Sequence, residues 1–184
     1  MKTQQQQLHV ATPLRQSLAL SKAAGTSVYL KLDSSQPTGS FKIRGIGHLC
    51  KTWAERGCER FVCCSGGNAG MAAAYSAREL GVPATIVVPG VTPSPTVERL
   101  KDEGATVIVH GKALVETMRR TAARSEPPGW IFISPFDDPS SGRATRLCGR
   151  AGEGADGEPA RWCCPGWGVG LLNGGGGGLS TAHA

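Results

Sequence analysis

The sequence predicts an α/β fold built on a parallel β-sheet, and three observations carry that prediction. Strand-like runs recur about every 22 to 24 residues, the spacing of strand–helix–strand units in a parallel sheet. The run Ala84-Thr85-Ile86-Val87-Val88 is apolar at nearly every position, as a strand covered on both faces should be. Two glycine-containing loops, at residues 37–45 and 65–70, each stand where a helix should begin.

The elements follow in order. Residues 28–32 (Val-Tyr-Leu-Lys-Leu) alternate and read as a strand. A helix is expected to start near Lys42, with Ser40 as its N-cap. Ile46, Leu49, Cys50 and Trp53 then fall at i, i+3, i+4 and i+7 and form one helix face. Residues 60–64 read as a strand that runs into the second glycine loop, and residues 71–80 as the helix after it. The strand at 84–88 is followed by a helix over 95–103, with Thr92 or Ser94 as cap. A strand at 106–110, a helix at 112–125 and a strand at 130–133 complete the series.

From about Ser140 the character changes. Of the 26 glycines, 13 lie in the last 45 residues, and neither a helical nor a strand period persists there. The expected organisation is therefore residues 1–39 as part of one domain, 40–134 as a small α/β domain, and 135–184 as a glycine-rich tail without fixed structure.

Bulk properties narrow the function. The net charge of +6 is spread over single Lys and Arg residues, with Arg119-Arg120 the longest basic run, so nucleic acid is not an expected partner. No apolar run approaches the roughly 20 residues of a membrane span. Met1-Lys2-Thr3 and the glutamines at 4–7 lack the apolar centre of a signal peptide. The seven cysteines are odd in number and lack C-x-x-C spacing, which argues against a zinc site or a disulfide framework. A reducing, cytoplasmic setting and no metal are expected.

The chemistry centres on Lys42, in Pro37-Thr38-Gly39-Ser40-Phe41-Lys42-Ile43-Arg44-Gly45. Alone it reads as a solvated lysine at a helix start. A lysine amine can form a Schiff base with an aldehyde, but only as the neutral base. Arg44 and the positive end of the helix both favour that neutral form. The second loop, Ser65-Gly66-Gly67-Asn68-Ala69-Gly70, follows a strand and precedes a helix, so its N–H groups converge on a ready anion site. It is neither a spaced dinucleotide fingerprint nor a P-loop. Asn68 adds an amide able to hold a hydroxyl or a carboxylate. The two loops together turn Lys42 from a surface lysine into a candidate covalent cofactor anchor.

Ser40-Phe41-Lys42-Ile43-Arg44-Gly45 taken with Ser65-Gly66-Gly67-Asn68-Ala69-Gly70 resembles the serine/threonine dehydratase family, pyridoxal-phosphate enzymes of the tryptophan-synthase-β fold (fold type II). The resemblance runs from about Leu8 to Pro139 and takes in Ala11-Thr12-Pro13-Leu14 and Pro135-Phe136-Asp137-Asp138-Pro139. It implies pyridoxal 5'-phosphate as cofactor, an amino-acid substrate and a homodimer. It also implies that Lys42 holds the cofactor and later takes the substrate α-proton, that Phe41 packs beside the cofactor ring, and that Asn68 bonds the ring hydroxyl. Ser65, Asn68 and Ala69 lie where the family grips the substrate carboxylate. The implied reaction is β-elimination of L-serine to pyruvate and ammonia, or of L-threonine to 2-oxobutanoate and ammonia. Cys64 stands where a serine is common and reads as a buried strand-end cysteine.

After Pro139 the chain leaves the family pattern. The family continues Leu-Ile-Trp, a charged residue, then Gly-His, whereas this chain reads Ser140-Ser141-Gly142-Arg143-Ala144-Thr145. Codons exist for which these residues and that family run are two reading frames of one string, the expectation for a frame-shifted or mis-spliced product. Gly175, Gly176, Gly177 and Gly178, with Gly174 and Leu179, resemble the family's phosphate-cupping glycines, although no strand precedes them. On this reading the small domain is complete and most of the large domain is missing. The alternatives are a catalytically inactive fragment or isoform, another fold-type-II pyridoxal-phosphate lyase or racemase, and a small-molecule binding module indifferent to Lys42.

Overall fold

A computed structural model describes residues 7–111 and 128–135. The helix expected at 112–125 and the glycine run at 174–178 lie outside the described residues. The first part of the chain is a small two-stranded unit: β1 (Leu14–Gln16), helix α1 (Leu18–Ala24) and β2 (Tyr29–Lys31), with β1 and β2 antiparallel. A 3-10 turn at Asp33–Ser35 leads to the second part. There α2 (Lys42–Glu55), β3 (Arg60–Cys64), α3 (Asn68–Leu80), β4 (Ala84–Val88), α4 (Ser94–Asp102), β5 (Thr106–Val109) and β6 (Trp130–Ile133) follow in turn.

The strands β3 to β6 make one parallel sheet in the order β5-β4-β3-β6. The chain steps outward from β3 to β4 to β5, then returns to place β6 on the other side of β3. Along β3, Phe61 and Cys63 join the main core cluster with Ile86 and Val88 of β4. Val62, Cys64 and Val87 alternate with them and are equally buried, so both central strands are covered on two faces. This is the property expected from the unbroken apolar run at 84–88.

Helix α2 buries the stripe Ile43, Ile46, Leu49 and Cys50 against α3, and Trp53 packs at its margin. The facing side of α3 is built of Ala69, Ala72, Ala73 and Ala77, small residues that let the two helices lie close together. Ser76, fully buried on that helix, donates back to the Ala72 carbonyl at 2.7 Å and so leaves no orphan hydroxyl.

Three boundary expectations change. Ser40 is not the N-cap of α2: Phe41 takes that place in αR geometry with no side-chain cap bond, while Ser40 is buried. Helix α3 begins at Asn68 rather than at 71, since Gly70 is tolerated in the first turn for a packing reason described below. Neither Thr92 nor Ser94 caps α4; Pro93 occupies the N-cap and Pro95 stands in the first turn, where its missing N–H costs nothing.

Candidate active site

Lys42 is the first residue of α2 and is half-buried. The chain reaches it through a tight turn: Gly39 N–H donates to the Gln36 carbonyl at 2.8 Å, and Gly39 sits at φ 73°, a left-handed value that glycine adopts without strain. The Lys42 Nζ donates to the carbonyl of Pro135 at 2.6 Å. It also lies 5.8 Å from the centre of the Phe41 ring. Pro135 stands two residues beyond the end of β6. The amine is thereby fixed at the carboxyl end of that strand.

The second loop begins at the carboxyl end of β3, the neighbour of β6 in the sheet. Gly67 N–H donates to Ser65 Oγ at 3.2 Å and folds the loop over the start of α3. Gly67 is the N-cap, Asn68 is exposed as the first helical residue, and Ala69 is buried beneath it. No side chain caps α3, so its first N–H groups face the loop opening. A Cβ at Gly70 would collide with the Ser65 carbonyl, so glycine is needed there for space.

Lys42 and the Ser65 loop therefore meet at the carboxyl ends of two adjacent parallel strands. The strand order reverses at this place, where the chain that left β3 for β4 comes back as β6. Open α/β sheets bind ligands in the crevice at such a switch point. Electrostatics agrees with the placement. Burial, with Cys64 beside it, pushes the Cys63 thiol up to about 12, and the positive charge of Lys42 acts on it in the opposite sense. Cys64 itself is a fully buried strand-end residue.

Arg44 does not play the role expected of it. Its side chain is buried and grips Asp33, with Nε and Nη2 donating to the two carboxylate oxygens at 2.8 Å each. Thr12 Oγ1 donates to the same carboxylate at 2.6 Å, and Gln36 Nε2 approaches it at 3.4 Å. Burial alone would raise the Asp33 carboxyl, but these bonds and the Arg44 charge outweigh it and hold the group well below the usual carboxylate range. The guanidinium charge is thus balanced locally and does not reach Lys42 as a bare cation.

Two polar groups here were invisible from residue type. Thr38 Oγ1 and Ser40 Oγ, on the approach to Lys42, are buried without a hydrogen-bond partner among the described residues. Buried hydroxyls of this kind call for a polar ligand or water. The Pro135 carbonyl is likewise a backbone group that no side-chain motif announces.

Comparison with known proteins now decides the lineage. The family model described as "Pyridoxal-phosphate dependent enzyme" matches residues 6–183. This chain belongs to that family. Human L-serine dehydratase/L-threonine deaminase is 68% identical over 133 residues, which cover 72% of this chain and 40% of that protein. The fungal L-serine ammonia-lyase of Rhizomucor miehei superposes with a TM-score of 0.90 at 34% identity, over 97% of this chain and 57% of that one. The processed threonine deaminase isoform 2 of Solanum lycopersicum gives 0.86 at 26% identity, over 95% and 48%. The likeness bears out the tryptophan-synthase-β-like, fold-type-II α/β fold expected from the two motifs. The chain spans about 40% of the length of the human, mouse and bovine relatives it matches.

The residues present fit a pyridoxal-phosphate group. Lys42 offers an amine with the Phe41 ring beside it, Thr38 and Ser40 on the approach to it offer buried hydroxyls, and the start of α3 is uncapped. Glycines 175–178, expected to hold the phosphate, lie outside the described residues.

Proposed function

We propose that this chain carries the lysine half of a pyridoxal-phosphate site for β-elimination of L-serine, and of L-threonine, to a 2-oxo acid and ammonia. The observation that carries the reading is the meeting of Lys42 with the Ser65–Asn68 segment at the β3/β6 switch point. The named activities of the human and fungal relatives supply the substrate class. When bound, the cofactor supplies an electron sink that stabilises charge at the substrate α-carbon. Lys42 would hold the cofactor through its amine, and the same amine would take the substrate α-proton. Phe41 packs beside the cofactor ring, and Asn68 donates to the ring hydroxyl. Ser65, Asn68 and Ala69 receive the substrate carboxylate, helped by the positive end of α3. Gly175, Gly176, Gly177 and Gly178 cup the phosphate. The setting is cytoplasmic.

The decisive test adds pyridoxal phosphate to the purified chain and follows both its absorbance and the pyruvate formed from L-serine. A Lys42-dependent band with pyruvate release, both lost in Lys42→Ala, is the expected result. Pyruvate formation that survives Lys42→Ala would overturn the reading.

A second reading, a catalytically silent fragment or isoform of the same enzyme, is favoured by a different observation. Val10, Leu18, Leu20, Tyr29 and Leu30, all in the first 30 residues, stand exposed, apolar surface of the kind a larger protein covers. On this reading the chain yields no pyruvate with or without Lys42.

A further inference from the structure

The Ser65–Asn68 segment is held from two sides. Beneath it, the Ser65 carbonyl lies against Gly70 so tightly that no side chain fits at position 70. On its other side is Thr92, from the loop between β4 and α4. A Cβ placed on Gly66 would lie 2.7 Å from Thr92 Oγ1 and 2.8 Å from its Cγ2, closer than real carbon contacts allow. The φ of Gly66 is not left-handed, so glycine is required there by the neighbour and not by the backbone conformation.

Thr92 is itself well anchored. Its N–H donates to the Pro89 carbonyl at 3.0 Å, closing a turn between two prolines. Gly90 N–H donates to the Gly111 carbonyl at 2.9 Å and ties that turn to the chain just beyond β5. Pro93 begins α4, whose Leu100 is fully buried in the core. Thr92 is thus a fixed post set against a loop whose own bonds are few.

We propose that Thr92 is a positioning residue: it braces the Gly66 backbone and so fixes where Ser65, Gly67 and Asn68 present their polar groups to a substrate carboxylate. The inference rests on the reading of residues 65–69 as the carboxylate grip. A displacement of about 1 Å in such a grip can cost on the order of 100-fold. The brace is steric, made by the β-branched shape, so Val should serve at position 92 and Ala should not.

The test uses the full 184-residue chain and two readouts. In the cofactor-free, ¹⁵N-labelled chain, Thr92→Ala is expected to shift or broaden the amide signals of Gly66, Gly67 and Asn68 and to leave those of β4 in place. In the chain loaded with pyridoxal phosphate, it is expected to raise the L-serine concentration for half-saturation roughly 10- to 100-fold, with cofactor affinity unchanged. Thr92→Val keeps both properties. Gly66→Ala alone reproduces the defect, and adding Thr92→Ala to it restores both readouts, because the methyl introduced at position 66 fills the vacated space and lies 3.4 Å from the residue-92 Cβ. A merely structural role would restore stability in the double variant without restoring L-serine binding. Unmoved amides in Thr92→Ala overturn the proposal, as do moved amides with unaltered L-serine binding. If the parent forms its Lys42-dependent band but ignores L-serine, the carboxylate reading falls, and positioning of a substrate by Thr92 falls with it. If the parent forms no such band, the functional reading fails on its own, and the amide spectra alone decide whether Thr92 braces the loop.

Discussion

The two parts of this molecule are held together by different physics. From α2 to β6 every element contributes side chains to one apolar core, β5 through the half-buried Val107, and the two central strands are covered on both faces. The β1–α1–β2 unit buries almost nothing: α1 has no buried residue, and most of β1 and β2 is exposed. The second part is joined to the first by Leu8, which packs against the core beside Gly47 of α2, and by a polar staple of Arg44, Asp33, Thr12 and Gln36. The staple is extended by Gln36 to both backbone groups of Val10 and by Lys31 Nζ to the Thr12 carbonyl at 2.6 Å. Hydrophobic burial is spread over many residues and degrades gradually, whereas a staple depends on a few specific bonds. The part with the true core also carries Lys42 and the Ser65 loop.

The largest expected effect comes from the core. Phe61 is fully buried in β3, the strand between β4 and β6. Phe61→Ala removes the ring and leaves a cavity among closely packed neighbours, at a cost of about 3 to 5 kcal/mol. Urea unfolding followed by circular dichroism measures it. A loss below about 1 kcal/mol would mean that the sheet is not the source of stability and would erase the contrast between the two parts.

Next in size is the staple. Asp33→Ala strands the Arg44 guanidinium, which is only 2% exposed, without its counter-charge. Breaking a buried pair in this way costs about 3 kcal/mol or more. The loss should be local: hydrogen exchange should accelerate over residues 8–36 and stay slow in β3 and β4. Uniform acceleration would show that the two parts unfold as one.

Acid should open the same joint. Burial, and then the nearby Arg44 charge, lower the His9 pKa, and Asp33 is also held below its ordinary value. In both cases the unfolded chain binds more protons at a given acidic pH, so stability falls as pH falls. The contribution of His9 begins to fade below its ordinary value of about 6.5, and that of Asp33 below about 4. Protection factors over residues 8–36, taken relative to the intrinsic exchange rate at each pH, should therefore fall in two stages on acidification, and Asp33→Ala should abolish the second stage. An acid response identical in the variant would place the titrating carboxylate elsewhere.

The same contrast explains what could be read in the sequence. The strands Arg60–Cys64, Ala84–Val88 and Trp130–Ile133 were legible because burial imposes an apolar run. Helix α1 and strand β1 were not, because an element that buries nothing carries no periodicity to read. Ser40 misled for a related reason: a serine before a helix usually caps it, but here it is drawn into the interior beside Lys42. Lys42 and the Ser65 loop announced themselves by residue type. Their meeting did not, since it depends on β6 returning to lie beside β3, and the bond from Lys42 to Pro135 spans 93 positions and ends on a backbone oxygen.

The smallest expected effect is the most diagnostic of the exposed face. Leu18 is 79% exposed on α1, so Leu18→Ser gives up little packing and should change stability by no more than about 0.5 kcal/mol. It should nevertheless reduce self-association, measured by light scattering against concentration, because it removes the most exposed of the large apolar side chains near β1 and β2. A large loss of stability would mean that α1 rests on a core of its own, and the difference between the two parts would then be one of degree. Unchanged stability with lower association would mean that this face is apolar for the sake of a contact outside the fold, whereas the sheet is apolar for the sake of the fold itself.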